Sequence, residues 1–262
     1  MKVCLFDMDG TLTPARKKIN IEMVRVLIKL QNAGFKIGVV SGSDMEYIEE
    51  QCNLLFEDFT FDHTNVLWYP CNGTKHYTFN RSGKKVIHYE NNMKEKLGSY
   101  AYNDVIRILL DSQISIRYSL GAKTMPLSGT FIQYRGSMIN WCPIGRDASE
   151  EERKEWVEID KEYNVRLRML DRLSAFPVFH SLSTRLGGET SFDIYPEGWD
   201  KTYALKNFSE KDELYFIGDR CEKNGNDKEI YDIIKTREAG QSFKTNGPEE
   251  TISIIESKIL QE

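Results

Sequence analysis

The stretch Val3-Cys4-Leu5-Phe6-Asp7-Met8-Asp9-Gly10-Thr11 decides the fold of this chain. Residues 3–6 are apolar without interruption and stop at an acid, the pattern of a strand buried on both faces that delivers its carboxyl end to a loop. Two carboxylates, two residues apart, stand just past that end. A pair so placed can offer one carboxylate as a nucleophile towards phosphorus and the other as a proton carrier, while a divalent cation screens their repulsion. A bare Asp-x-Asp can equally be a solvated acidic turn, but the preceding strand and the following Gly-Thr favour the site.

Asn20 reads as the N-cap of a helix in which Met23, Val24, Leu27 and Leu30 recur at helical spacing, and Gly34 stands where a helix-ending glycine belongs. Lys36–Val40 reads as a second strand, broken by Ser41-Gly42-Ser43. Strand, helix and strand within about 40 residues make a right-handed parallel βαβ unit, whose ligands are expected beyond the strand ends.

After Arg81-Ser82-Gly83 the pattern changes. Alternating runs at 86–89, 114–118, 130–135, 138–142 and 191–195 mix with a helix over 93–110 and another that starts at the capping box Ser149-Glu150-Glu151-Glu152 and runs towards Tyr163. An antiparallel sheet backed by helices is the natural reading. The parallel pattern returns at 214–217, again ending in Gly218-Asp219, and an amphipathic helix closes the chain around 252–260. The expected fold is α/β: a doubly wound, Rossmann-like parallel-sheet core over 1–82 and 197–262, with an α+β domain built on an antiparallel sheet inserted at 83–196.

Composition bounds the function classes. With 35 Lys+Arg against 40 Asp+Glu, a net charge of −5 gives no global basic field for nucleic acid or an anionic membrane. No apolar run approaches the roughly 18 residues of a membrane span, and the apolar start is far too short for a signal peptide. Five scattered cysteines (Cys4, Cys52, Cys71, Cys142, Cys221), with no C-x-x-C pair, speak against a disulfide framework or a structural zinc and for a reducing, cytoplasmic setting. His63, His76, His88 and His180 read as isolated, without a metal or triad role, and Trp68-Tyr69 beside Phe59 and Phe61 reads as core rather than a base-stacking platform. The Asn-x-Ser/Thr triplets at Asn72, Asn80 and Asn207 read as chance.

Four elements together resemble the signatures of the haloacid-dehalogenase phosphotransferases, in that family's order: Asp7-x-Asp9-Gly-Thr11, Ser41-Gly42-Ser43, Gly198-Trp199-Asp200-Lys201, and Gly218-Asp219 with Gly225-Asn226-Asp227. The inserted segment narrows the resemblance. Gly129-Thr-Phe-Ile-Gln-Tyr-Arg135, Pro143-Ile-Gly-Arg146, Ser149-x-Glu-Glu-Arg153 and Gly187-Gly-Glu-Thr-Ser191-Phe-Asp193 look like the eukaryotic-type phosphomannomutases, essentially end to end.

The resemblance implies a magnesium-dependent isomerase that interconverts mannose 6-phosphate and mannose 1-phosphate through an aspartyl phosphate, with a hexose 1,6-bisphosphate as activator, and so feeds GDP-mannose synthesis. It implies Asp7 as nucleophile and Asp9 as acid and base. Ser41 and Ser43 would bond the transferring phosphoryl group and Lys201 would neutralise charge, with Asp7, Asp9, Asp219 and Asp227 around the metal. Arg135, Arg146 and Arg153 would clamp the distal phosphate, Ser191 and Asp193 would hold the sugar, and Arg16 would lie near the substrate. Hexose phosphates are the implied partners, and a homodimer through the inserted domain the implied assembly.

Three departures stand out. Pro70-Cys71-Asn72-Gly73 replaces the family's Pro-Glu-Asn-Gly, and Ser128 stands where a further arginine is usual. At a second cation site, which backbone oxygens of Tyr231 and Thr236 would help to form, the carboxylate position holds Ile233, with Asp232 adjacent. The alternative activity on the same scaffold is a sugar-phosphate phosphatase. A catalytically silent sensor should have lost Asp7, Asp9 or Lys201, and all three are present.

Overall fold

The computed structural model describes residues 1–58, 60–116, 120, 124–223 and 225–261. They form two compact units, residues 1–90 with 199–262 and residues 91–198.

The first unit is built on a seven-stranded sheet of order β11-β10-β1-β2-β3-β4-β5. Its parallel part comprises β1 (Lys2–Phe6), β2 (Lys36–Val40), β3 (Val66–Tyr69), β10 (Glu213–Gly218) and β11 (Gly240–Lys244). The antiparallel extension is β4 (Lys75–Phe79) and β5 (Lys85–Glu90). Alternation along β1 explains its unbroken apolar run. Cys4 and Phe6 join a core with Met23, Leu27, Ile48, Leu55 and Ile254, whereas Val3 and Leu5 join a second core with Ile230 and Ile234 on the opposite face.

Helix α1 (Ile21–Asn32) begins as expected, with the Asn20 side chain accepting from Met23 N. It ends in a left-handed Gly34 (φ 87°), where Gly34 N reaches Gln31 O and Phe35 N reaches Leu30 O, the paired bonds of a Schellman stop. The helices α2 (Met45–Gln51) and α3 (Asn53–Glu57) follow β2, α8 (Lys228–Thr236) follows β10, and α9 (Pro248–Ile254) continues into a wider turn over Ile255–Ile259. That last pair replaces the single closing helix expected over 252–260.

The strand over 86–89, expected in the inserted domain, belongs instead to the first unit. It extends to β5 and pairs with β4 from Lys75↔Glu90 to Phe79↔Lys85, which carries the unit to residue 90. Period-two alternation identified the strand but not its partner.

The second unit carries an antiparallel sheet of order β6-β7-β9-β8, from β6 (Ile132–Tyr134), β7 (Ile139–Trp141), β8 (Leu182–Gly187) and β9 (Ser191–Pro196). Its helices are α4 (Met93–Leu97), α5 (Ser99–Ile116), α6 (Glu150–Tyr163) and α7 (Val165–Ser174). The capping box at Ser149 and Glu152 is present with both reciprocal bonds. The expected helix 93–110 is two, because Gly98 (φ 77°) ends α4. The alternating run at 114–118 is overturned over its first three residues: Val105, Leu109, Ser112 and Ile116 are buried at helical spacing and carry α5 to residue 116. Arg117 and Tyr118 lie outside the described residues.

All five cysteines are free and buried, and no helix among the described residues is long and apolar enough to cross a membrane. Trp68 is core, stacked on Phe56 at 5.2 Å; Phe59 lies outside the described residues. The histidines are less isolated than the sequence indicates. His76 is sandwiched between Tyr69 (4.6 Å) and His88 (4.3 Å), and burial together with the His88 charge holds its pKa down to about 4.

An unfolded His76 takes up its proton near the ordinary histidine value of about 6.5, so this residue destabilises the fold as pH falls from about 6.5 towards about 4. His76→Phe, which keeps a stacking ring, should flatten that part of the acid dependence when urea midpoints are compared between pH 7 and pH 4.5. A variant with the parent's slope would remove His76 from the account.

Candidate active site

Strands β1 and β10 are neighbours at the point where the chain order reverses, and their carboxyl ends bear the acidic residues. Asp7 N donates to Ile217 O at 3.0 Å, extending the ladder by one rung and anchoring the Asp7 backbone at the sheet's edge. The chain then turns tightly around Met8 O, which accepts from Leu12 N (2.9 Å) and Thr13 N (3.0 Å). Gly10 in that turn has φ 85°, and a Cβ on it would lie 2.5 Å from Asp219 Oδ2. A Cβ on Gly218 would lie 2.7 Å from Asp227 Oδ2. Glycine at both places lets the carboxylates close in on Asp7.

The result is a cluster, buried at Asp7 and Asp227 and half-buried at Asp219, in which ligand oxygens of the three lie within 4.8 Å of one another. Lys201, on a short 3₁₀ stretch (Lys201–Asn207) capped by Asp200, is 1% exposed. Its ammonium bonds Asp7 Oδ1, and Asp227 Oδ1 at 2.6 Å. Burial, then the Asp227 and Asp219 charges, push the Asp7 carboxyl well above the usual carboxylate range against the pull of Lys201. Burial and Asp227 raise Asp219 to about 6. Burial opposes the Lys201 ammonium, but Asp227 and Asp7 outweigh it and raise its pKa.

Three carboxylates against Lys201 and, 4.0 Å from Asp219, the Arg220 guanidinium leave an excess of negative charge in a largely buried site, and Asn226 Oδ1 beside them is a buried acceptor without a hydrogen-bond partner among the described residues. A hard divalent cation with oxygen ligands fits that donor set. Asp9, expected among the metal ligands, is not in the cluster. Its Oδ1 instead accepts from Arg16 N (3.0 Å) and from the Tyr47 hydroxyl (3.2 Å), so the second carboxylate is held apart from the first. Arg16 keeps a left-handed backbone (φ 61°) to make that bond.

Ser41 and Ser43 follow β2, the strand next to β1. Ser43 N donates to Ser41 Oγ at 3.1 Å. The loop is fixed from below by Asn72 N on Ser41 O (2.7 Å) and Cys71 N on Ser43 O (2.8 Å). Cys71 and Asn72, in the stretch that departs from the family's usual sequence, both adopt positive φ (50° and 62°).

At the second expected cation site, α8 presents Ile233, which is 44% exposed, and Asp232 is paired with Lys228. No carboxylate cluster forms there among the described residues.

In the second unit Arg135, buried just past the end of β6, donates Nε and Nη2 to Gln133 Oε1. Arg146 Nη1 donates to Asn140 Oδ1 (2.9 Å), and Asn140 Nδ2 donates to Asp193 Oδ1 (2.7 Å). Three of the expected site residues thus join one sheet surface. Ser191 donates to Gly187 O (2.8 Å). Arg153 is tied differently. Its guanidinium donates to Ala148 O (3.0 Å), Arg146 O (2.5 Å) and Thr190 Oγ1 (3.0 Å), so it holds the Arg146 loop against α6. Tyr47 and Asn140 were not legible as site residues, because their roles depend on partners 38 and 53 positions away.

This fold and this carboxylate–lysine site define a phosphotransferase of the haloacid-dehalogenase class. The fold is shared with an IMP-bound mutant of the IMP-nucleotidase of Plasmodium falciparum (TM-score 0.62, 16% identity, covering 100% of this chain and 67% of that one). It is shared too with a trehalose-6-phosphate phosphatase related protein (TM-score 0.51, 15% identity, 99% and 97% covered). The family model for eukaryotic phosphomannomutase matches residues 23–262, and the chain belongs to that family. Among its relatives it is 37% identical over 257 residues to the phosphomannomutase of Saccharomyces cerevisiae, covering 96% of this chain and 91% of that protein. With that of Nicotiana benthamiana it is 34% identical over 260 residues, covering 98% and 94%.

Proposed function

We propose that this chain is a magnesium-dependent phosphomannomutase interconverting mannose 6-phosphate and mannose 1-phosphate, with a hexose 1,6-bisphosphate as activator. The observation that carries the reading is the buried Asp7–Lys201 pair inside the carboxylate cluster at the end of β1. Membership of the phosphomannomutase family supports reading that pair as the phosphoryl-transfer site.

An Asp7 oxygen attacks the phosphorus of the bisphosphate, the bond from phosphorus to the sugar oxygen breaks, and Asp9 delivers a proton to that oxygen. In the other half of the cycle the free hydroxyl of an incoming hexose monophosphate, at the end opposite its own phosphate, attacks the aspartyl phosphate and forms the bisphosphate. Asp9 takes its proton and Asp7 is released as carboxylate. Asp7, Asp219 and Asp227 would hold Mg²⁺, which neutralises phosphoryl charge when bound. Lys201 offsets the charge that remains on Asp7 and the transferring group. Ser41 and Ser43 supply hydroxyls for the phosphoryl oxygens, and Arg16 lies beside Asp9 near the substrate.

Either end of the hexose must face Asp7 in turn, so the opposite phosphate needs a grip of its own. Arg135, Arg146 and Arg153 supply cations for it, and Ser191 and Asp193 supply sugar contacts. Water must be excluded while the aspartyl phosphate exists, or hydrolysis competes. A cytoplasmic setting, supported by the free cysteines, and a role in supplying GDP-mannose synthesis belong to the same proposal. So does a homodimer through the inserted unit, supported by the half-exposed Leu110 and Ile114 one turn apart on α5.

The test is isomer against free phosphate. With magnesium and a catalytic amount of glucose 1,6-bisphosphate, mannose 1-phosphate should convert to mannose 6-phosphate with little phosphate released. Chelation should stop turnover and magnesium restore it. Stoichiometric phosphate release without isomer would make the chain a sugar-phosphate phosphatase instead.

A further inference from the structure

Alternation across the four-stranded sheet of the second unit separates its side chains into two faces. Ile132, Tyr134, Ile139, Trp141, Phe192, Ile194 and Leu186 pair across the strands on one face. Helix α5 packs there, with Trp141 Nε1 donating to Gln113 and Tyr134 set edge-on to Tyr102. The other face carries polar side chains along its middle. One rung crosses all four strands on it: Gln133 on β6 is opposite Asn140 on β7, Asn140 is opposite Asp193 on β9, and Asp193 is opposite Arg185 on β8.

Directly opposed residues share a face with Cβ atoms about 4.5–5.5 Å apart. Arg185 is therefore the immediate neighbour of the proposed sugar-holding Asp193. It is exposed, on the edge strand, at the end of the rung away from Arg135. Arg146 enters the same rung through Asn140. A ligand seated on Asp193 thus meets cations from both ends of that rung, and a guanidinium fork matches a phosphate oxygen pair far better than a sugar hydroxyl.

We propose that Arg185 is a further substrate-contacting residue, which holds a phosphate oxygen of the sugar phosphate from the side of Asp193 opposite Arg135 and Arg146. The proposal rests on the mutase reading of the site, and it assigns Arg185 the phosphate rather than the sugar ring.

Titration of glucose 1,6-bisphosphate into the full-length chain, with steady-state rates on mannose 1-phosphate, tests it. Arg185→Gln should weaken bisphosphate binding by roughly tenfold, about 1.4 kcal/mol. KM should rise more than kcat falls, and Arg185→Lys should recover part of the loss. Inhibition by inorganic phosphate alone should weaken in parallel, which a residue that only orients Asp193 would not produce. Arg172→Gln, an exposed change on α7, should leave all three readings within twofold of the parent. Bisphosphate affinity and phosphate inhibition unchanged in Arg185→Gln, with a parent that binds and isomerises normally, would overturn the role of Arg185 alone. A parent that binds no hexose phosphate would overturn the mutase reading and this assignment with it.

Discussion

Asp7→Asn is expected to abolish the phosphoenzyme altogether. The amide offers no anionic oxygen for attack on phosphorus, while Lys201 keeps its 2.6 Å partner Asp227 and the fold keeps its core. Asp9→Asn should behave differently, because its carboxylate stands outside the cluster, on Arg16 N and the Tyr47 hydroxyl. That variant should still accept a phosphoryl group slowly and lose roughly 10²–10⁴-fold in turnover, the usual worth of general acid–base catalysis. Acid-quenched labelling with radioactive hexose bisphosphate separates the two. Label retained on Asp7→Asn would exclude Asp7 as the nucleophile.

The arginines of the second unit should govern the isomerase reaction and spare the small-substrate one. If Arg135 and Arg146 hold the distal phosphate, they supply binding energy remote from the reacting centre, and that energy positions the substrate. Removing either, as in Arg135→Ala or Arg146→Ala, should cost about 2–4 kcal/mol of transition-state stabilisation, the range for losing one side of a charge-assisted contact in a closed site. Acetyl phosphate has no distal phosphate, so its slow hydrolysis should be nearly unchanged.

The quantity to measure is the ratio of mutase to acetyl-phosphatase rate in each variant. Equal losses in both would show that these arginines support the fold or the core cluster. Arg153→Ala should also lower the melting temperature, because its guanidinium bonds Ala148 O, Arg146 O and Thr190 Oγ1.

Much of the core was legible because its signals are local. The unbroken run of residues 3–6 is the mark of a strand covered on both faces, and Asp7 at its end marks the edge where the sheet opens to ligand. Asn20 and Gly34 bracket α1 because N-cap and Schellman geometries involve only neighbouring residues. The same holds for the Ser149–Glu152 box at the head of α6. The strand-end position marked Asp7, and the resemblance to the phosphotransferase signatures marked Lys201, Asp219 and Asp227.

What the chain could not announce is the partner of each element. Strand β5 alternates in the same way whether it joins the parallel core or the inserted sheet, and only its hydrogen bonds to β4 decide. Residues 114–116 alternate as a strand would, yet burial of Ser112 and Ile116 within the second unit makes them helix. Asp9 was distinguished from the carboxylate cluster by Tyr47, 38 positions away, and Arg185 was brought beside Asp193 by cross-strand register. Local sequence therefore determined the strands, caps and chemically necessary charges of this protein. Pairing and register, set by long-range packing that no short window of residues encodes, decided which of those charges act together.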